Sequence, residues 1–358
     1  MPDTNDTQPA RYDWVTFPLL VFAASRTLLF AFAKSAPLFG PNMGADAGLS
    51  SSFLAAHPMW AALGHGDIAS YARIARAGYA GAGDVTYFPL VPLLGKWLGK
   101  ALGSTEMGLM VLSLAACAAG FVGLYRLFSA LRDRDTARWG VALLAAFPFS
   151  YHLSDGSALA CLLALSTWGM VLAARASFVW AGALFSLAVL AHPAGIFSVI
   201  AAACLPVAGK SWPKSWTRWL ALVVPALVLL AWPIYLRSHL AMTTASLWAA
   251  LWPRAAPSNF AGSALLIAFG GLIGAGLVLL LRLPVLRTLV LAGGLQLGVV
   301  FRAWSPSAAF TLALCWPALL GLADVLARRQ GLRAPLVAIL GAHQGLLLYC
   351  FTHFLRLT

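Results

Sequence analysis

Asp67 and Tyr71 stand one helical turn apart in the segment GHGDIASYARIARAGY at 64–79, which is followed by YFPLVP at 87–92. A carboxylate and a phenol on one helix face can hold a hydroxyl group and take its proton. Helical spacing aligns Asp67, Tyr71, Ile74 or Ala75, and Gly78, with Arg73 and Arg76 round the side. A second reading uses the same positions. Asp67 falls where an N-cap belongs and Gly78 where the helix would end, so both residues could delimit it. The two roles are compatible.

The rest of the chain must position this polar segment within very apolar surroundings. The 358 residues are 61% hydrophobic and 10% charged, with a mean hydropathy of +0.83. Soluble domains are nearer one-half apolar. Apolar runs long enough to cross ~30 Å of hydrocarbon recur from Trp14 onward. The first follows a short polar N-terminus without a small-residue cleavage site and is expected to be an uncleaved helix. The fold class expected is therefore all-α, a polytopic transmembrane protein of about eleven spans in a single integral-membrane domain, 1–358. The spans fall at 14–33, 106–129, 138–152, 157–174, 177–191, 194–207, 218–238, 262–281, 287–302, 305–327 and 334–354.

The net charge of +13 comes from dispersed basic residues without interleaved aromatics. It does not indicate nucleic acid. Positive-inside topology explains it better. With a cytoplasmic N-terminus, Arg126, Arg132, Arg134, Arg138, Arg175, Lys210, Lys214, Arg218, Arg282, Arg287, Arg328, Arg329 and Arg333 share one side. Asp67 and the HLSDG and HPAG connections fall on the other, non-cytoplasmic side. The same asymmetry favours two spans over 177–207. The five cysteines are scattered singly through apolar runs, which speaks against disulfides or a zinc site.

Two connections are long. The first, 34–105, contains short helices at 51–62 and 67–77 and an amphipathic stretch at 88–101, where Lys96, Lys100 and Trp97 suit a membrane interface. The second, 239–261, carries Trp248, Trp252 and Arg254 and fits an interfacial segment or lid. Among isolated polar residues, Asp155 reads first as an N-cap, Glu106 as a helix-dipole residue and Asp324 with Arg328 as an ion pair.

Asp67, Tyr71, Ile74, Ala75, Gly78 and Tyr79, then Phe88, Pro89, Leu90 and Pro92, stand in an ordered pattern. It resembles the first-loop signature of the PIG-V-like mannosyltransferases, relatives of GPI mannosyltransferase 2 in the GT-C superfamily. Ser25-Arg26, FPFSYHLSDGSALACLLAL at 147–165 and LAVLAHPAG at 187–195 resemble further family segments. The resemblance covers roughly the first two hundred residues. Gly66 stands where the family has Trp, Ser70 where a large aromatic or His is common, and His192 where Arg is usual. These departures bear on substrate identity and on activity.

The resemblance implies GT-C-like amphipathic helices in the first non-cytoplasmic loop. It also implies inverting transfer of a sugar, such as mannose, from a polyprenyl-phosphate donor to a lipid, glycan or protein acceptor. Asp67 would be the general base, with Tyr71 and Tyr79 beside it. The leaving lipid phosphate stays anionic and calls for cations; the candidates are Arg26, His192, Arg237, Arg254 and Arg302. Each has a structural alternative. An arginine within a span, as Arg26 is, costs about 2.5–3.5 kcal/mol and usually faces a cavity or a partner. Arg237 and Arg302 could snorkel, and His192 could simply end a helix. Asp155, beyond capping, could bind the acceptor or share a divalent ion with Asp67. No resident cofactor is expected; the partners expected are the donor, the acceptor and membrane lipids. The Ala- and Leu-rich composition and short loops suggest a bacterial inner membrane. A different class, a non-catalytic lipid-linked-glycan binder, flippase or assembly subunit, would use the same scaffold without chemistry at Asp67.

Overall fold

Apolar segments that must leave water close their own backbone hydrogen bonds most simply as helices. The computed structural model describes residues 12–35, 38, 57, 60, 63–64, 67–204, 217–240, 242–243, 246 and 316–352, all of them helical or irregular, with no strand among the described residues. In chain order the helices are α1 (Asp13–Ser35), α2 (Asp67–Ala77), α3 (Leu90–Leu102), α4 (Thr105–Leu131), α5 (Arg134–Ala146), α6 (Leu159–Ala174), α7 (Phe178–Ala191), α8 (Gly195–Cys204), α9 (Thr217–His239), α10 (Trp316–Arg328) and α11 (Arg333–Thr352). Among the described residues, three stretches are long and apolar enough to cross a membrane: Asp13–Ser35, Thr105–Leu131 and Gln330–Tyr349. The expectation of about eleven spans reaches into the segments 262–281 and 287–302, which lie outside the described residues, as does most of 239–261.

Local chemistry sets the helix ends. Ser104 caps α4 by accepting the Met107 N–H at 3.4 Å, and Asp133 caps α5 by accepting the Thr136 N–H at 2.7 Å. The span expected at 138–152 is shorter than the sequence reading has it, because α5 stops at Ala146. Pro148 holds the preceding Phe147 in extended backbone, and the chain then turns through a 3₁₀ segment, Ser150–Ser154. Pro193 acts likewise after His192, so 177–207 is two helices, α7 and α8, as the charge pattern favours.

Of the short helices expected in the first long connection, those at 67–77 and 88–101 fall where periodicity puts them, while 51–62 lies almost wholly outside the described residues. Helix α2 covers 67–77, and α3 buries Val91, Pro92, Gly95 and Gly99 while exposing Leu93 and Trp97. Helix α3 lies on α4 backbone to backbone: a Cβ on Gly108 would stand 2.5 Å from the Gly99 nitrogen.

The two ends of the bundle differ in charge. At one end Arg138 pairs with Asp13 at 3.2 Å, and Arg132 and Arg328 both pair with the buried Asp324 at 3.0 and 3.1 Å. Arg126 stacks on Trp14 there. At the other end, Leu29 and Ala33 of α1, Leu109 and Met110 of α4, Cys161 of α6 and Leu347 of α11 form a core under α2. Asp67 belongs to this second end.

Candidate active site around Asp67

Helix α2 buries Ile68, Tyr71, Ala72, Ile74 and Ala75. Asp67 is its first residue and is exposed. No backbone N–H of the first turn donates to the carboxylate among the described residues; the partner is the Tyr87 hydroxyl, which donates to Oδ1 at 3.3 Å. The side chain is therefore not spent as a cap. Although water reaches it, its carboxyl is held above the usual range, first by desolvation and then by the negative charge of Asp155; His152 and the Tyr87 hydroxyl act in the opposite sense. Exposure and desolvation together describe a recessed position, open to solvent yet crowded by protein.

Tyr71 shares a helix face with Asp67, but its ring is 3% exposed and packs edge-on against Tyr87, with centroids 5.0 Å apart. Burial pushes its phenol well up, so it stays neutral. Its place is to support Tyr87. Tyr87 itself stands in the YFPLVP motif, yet sequence reasoning did not single it out.

Tyr87 arrives on the segment between α2 and α3, which is tied down at three points. Arg73 forms a two-stranded ion pair with Asp84, and the Ala80 N–H donates to Asp84 Oδ2 at 2.8 Å. The Tyr79 hydroxyl donates to the Tyr87 carbonyl at 2.8 Å, and its ring packs edge-on against Trp232 of α9. Asp84 is held below the usual carboxylate range, chiefly by Arg73. Tyr79 is thus a brace of the segment. Arg76 is also engaged, pairing with Glu106 at 2.7 Å; Glu106 therefore does more than favour its helix dipole, because it fastens α2 to the start of α4.

The segment after α5 supplies the opposite wall. Arg26 of α1 is 3% exposed and donates to the Ser150 carbonyl at 2.7 Å, the Ser150 hydroxyl at 2.7 Å and the Ser154 hydroxyl at 3.0 Å. It fixes the 3₁₀ turn rather than reaching toward Asp67. Within that turn the His152 Nδ1 lies 2.6 Å from Asp155 Oδ2, both residues buried. This is the length of a charge-assisted hydrogen bond. Asp155 Oδ1 accepts the Ser157 N–H at 2.8 Å, so Asp155 closes a local turn, and α6 begins only at Leu159. The His152 ring is flanked by Tyr151 and Phe351, centroids 4.2 and 5.0 Å away. Sequence reasoning missed His152. Its signal was the i, i+3 spacing from Asp155 in HLSDG.

The remaining candidates separate from this cluster. His192 accepts the Ala194 N–H at Nδ1, 3.1 Å away, which places its proton on Nε2. Desolvation lowers its pKa to about 4, so it is neutral and offers no charge to a phosphate. Arg237 is exposed on α9. Arg254 and Arg302 lie outside the described residues. Among the described residues, no group of three His, Cys, Asp or Glu is arranged to hold a metal ion.

The site that results has an accessible carboxylate of raised basicity, a phenol donating to it, and a buried His–Asp pair close enough for its charges to be felt. Such a group can accept a proton from a hydroxyl that attacks an electrophile.

No family model and no curated protein matches the chain. Among solved structures it resembles the Archaeoglobus fulgidus oligosaccharyltransferase. With a tethered acceptor peptide containing the NVT sequon, that enzyme gives a TM-score of 0.51 at 12% identity, over 96% of this chain and 56% of that one. Its apo form gives 0.50 at 13% identity, over 97% and 56%. The chain spans little more than half the length of these structures. The likeness is one of fold: the chain shares the helical arrangement of that structure over a little more than half its length.

Proposed function

We propose that the protein is an inverting, PIG-V-like glycosyltransferase that moves a sugar, mannose in the first instance, from a polyprenyl-phosphate donor to a lipid, glycan or protein acceptor. The observation that carries this reading is the state of Asp67. It is accessible, desolvated and not consumed as a helix cap. The acceptor hydroxyl would lose its proton to Asp67 as its oxygen bonds to the anomeric carbon. The bond to the donor phosphate breaks on the opposite side, and the lipid phosphate leaves with its negative charge. The arginine-rich end of the bundle faces the cytoplasm in this reading, so the cleft opens on the non-cytoplasmic face of a bacterial inner membrane.

The test is transfer from labelled polyprenyl-phosphate mannose by the purified protein, with membrane lipids and glycans as acceptors. Wild type should release polyprenyl phosphate and Asp67→Asn should not, while unfolding at a comparable or higher temperature. Turnover by Asp67→Asn equal to wild type would remove Asp67 from the chemistry.

One observation favours a second reading, that of a non-catalytic lipid-linked-glycan binder or flippase. Arg26, Arg73 and Arg76 are all engaged with protein partners, so none of them stands ready for the leaving phosphate. This reading predicts donor binding or transport that ignores Asp67→Asn and releases no polyprenyl phosphate.

A further inference from the structure

Helix α3 presents a face that nothing among the described residues covers. Leu93, Lys96, Trp97 and Lys100 share the spacing of one helical stripe, and all four are exposed, Leu93 by 52% and Trp97 by 62%. The Lys100 ammonium stands over the Trp97 ring, 4.9 Å from its centroid. The acids nearest in the chain are engaged elsewhere, Asp84 with Arg73 and Glu106 with Arg76. No ion pair among the described residues includes Lys96 or Lys100. Two cations without counter-ions thus share one surface with a leucine and an indole.

The opposite face of α3 fixes this orientation. A Cβ on Gly95 would stand 2.5 Å from Leu109 Cδ2, and one on Gly99 2.6 Å from the Thr105 Cα. The helix therefore cannot roll to hide its outer stripe, and it lies against the start of α4. That span has 27 residues, about 40 Å at 1.5 Å per residue, against ~30 Å of hydrocarbon. With α4 crossing the bilayer, its first turn stands in the headgroup layer, and α3 stands there with it. Leucine and tryptophan suit the acyl boundary, and unpaired lysines suit headgroups of net negative charge. A zwitterionic headgroup meets much of its phosphate charge with its own ammonium. We propose that the outer face of α3 is a binding site for anionic phospholipids, with Lys96 and Lys100 on the headgroup phosphates and Leu93 and Trp97 in the acyl boundary beneath. The helix is folded and oriented before it meets lipid, so binding does not have to order it. Arg76 of α2 pairs with Glu106 at the same corner, so the segment that carries Asp67 is fastened to this lipid-binding edge.

The test needs no glycosyl transfer. Purified full-length protein is reconstituted in phosphatidylcholine vesicles that contain either brominated phosphatidylglycerol or brominated phosphatidylcholine at equal mole fraction. Subtracting the fluorescence of Trp97→Phe isolates the emission of Trp97. In wild type this emission should be quenched more strongly by the brominated phosphatidylglycerol, with a preference of about fivefold for each lysine. Lys96→Gln/Lys100→Gln should be quenched equally by both lipids and unfold at the wild-type temperature, while Lys96→Arg/Lys100→Arg should keep the preference. Equal quenching in wild type, no quenching by either lipid, or a preference that survives both glutamines would overturn the proposal. So would loss of the preference on adding one equivalent of polyprenyl phosphate, which would give the site to the donor. A protein with the phosphatidylglycerol preference and no transferase activity would keep this inference and lose the proposed function.

Discussion

Gly156 rests against Ile68: a Cβ added to the glycine would stand 2.7 Å from the isoleucine Cδ1 and 3.3 Å from the Met110 sulfur. Ile68 follows Asp67 and Gly156 follows Asp155, so this contact packs together the two segments that carry these carboxylates. It depends on a missing side chain and on φ +81 at the same residue, and glycine meets both demands.

Gly156→Ala should therefore cost more than backbone strain. Strain of this kind is about 1–3 kcal/mol, and overpacking adds about 1–3 kcal/mol. Gly103 provides the control, with φ +81 and no atom within 4 Å of its added Cβ. Gly103→Ala should lower the unfolding temperature slightly and leave glycosyl transfer intact. Gly156→Ala should lower both, with the fall in transfer exceeding what the change in stability accounts for. Equal effects of the two substitutions would mean that the contact with Ile68 does not organise the cleft.

Arg73 and Asp84 should matter to activity more than to stability. The Arg73 side chain is about half exposed, so screening leaves the pair worth roughly 0.2–1 kcal/mol. It nevertheless ties down the segment that carries Tyr87. Arg73→Gln should shift thermal unfolding little and reduce transfer several-fold. Tyr87→Phe should reduce transfer similarly, and the double variant should be no worse than the worse single one, because both act through one hydroxyl. Additive losses would separate the latch from Tyr87.

Much of this arrangement was legible in the sequence, and the rest was not for definable reasons. Apolar periodicity and capping residues mark α2 at 67–77 and the division between α7 and α8. The span placed at 138–152 runs too far, because hydropathy carried it across Pro148, whose effect on Phe147 is conformational. Asp67 could be picked out because it is rare in its surroundings. Its choice between cap and base could not, since that depends on whether first-turn N–H groups point at the carboxylate. Arg26 was visible as an intramembrane charge, but its partners Ser150 and Ser154 are more than a hundred residues away, and pairing at that distance has no local signature. Tyr71 shows the limit of face arguments: it shares Asp67's face, yet helix packing buries it.

Arg26 should stabilise the wall that carries His152 and Asp155. Arg26→Met removes charge-assisted hydrogen bonds to Ser150 and Ser154 and should cost about 2–4 kcal/mol. Hydrogen exchange across 150–157 should quicken. Arg26→Lys keeps the charge without the planar fork that serves both serines at once, and should restore only part of the protection. If Arg26 instead holds the donor phosphate, Arg26→Lys would weaken donor binding and leave exchange in 150–157 unchanged.

The raised pKa of Asp67 fixes the sign of two pH effects. With Asp67 as the proposed base, activity should fall on acidification around a midpoint above the ~3.9 of an ordinary aspartate. Stability runs the other way. A carboxyl that binds its proton more tightly in the folded than in the unfolded protein contributes stability that is fully present below the ordinary value. That contribution is lost as pH rises through the raised one. Above that raised value the ionised Asp67 therefore burdens the fold. Above the raised value Asp67→Asn should unfold at a higher temperature than wild type, and this advantage should shrink as pH falls through that value towards ~4. The same substitution should lower transfer by at least ~100-fold, the lower end of what a general base contributes. A residue acting mainly as a helix cap would behave differently, since asparagine caps as well as aspartate does: stability would hardly change at any pH, and transfer would survive. Thermal unfolding of both proteins between pH 4 and 8, alongside the transfer assay, separates the two roles of Asp67.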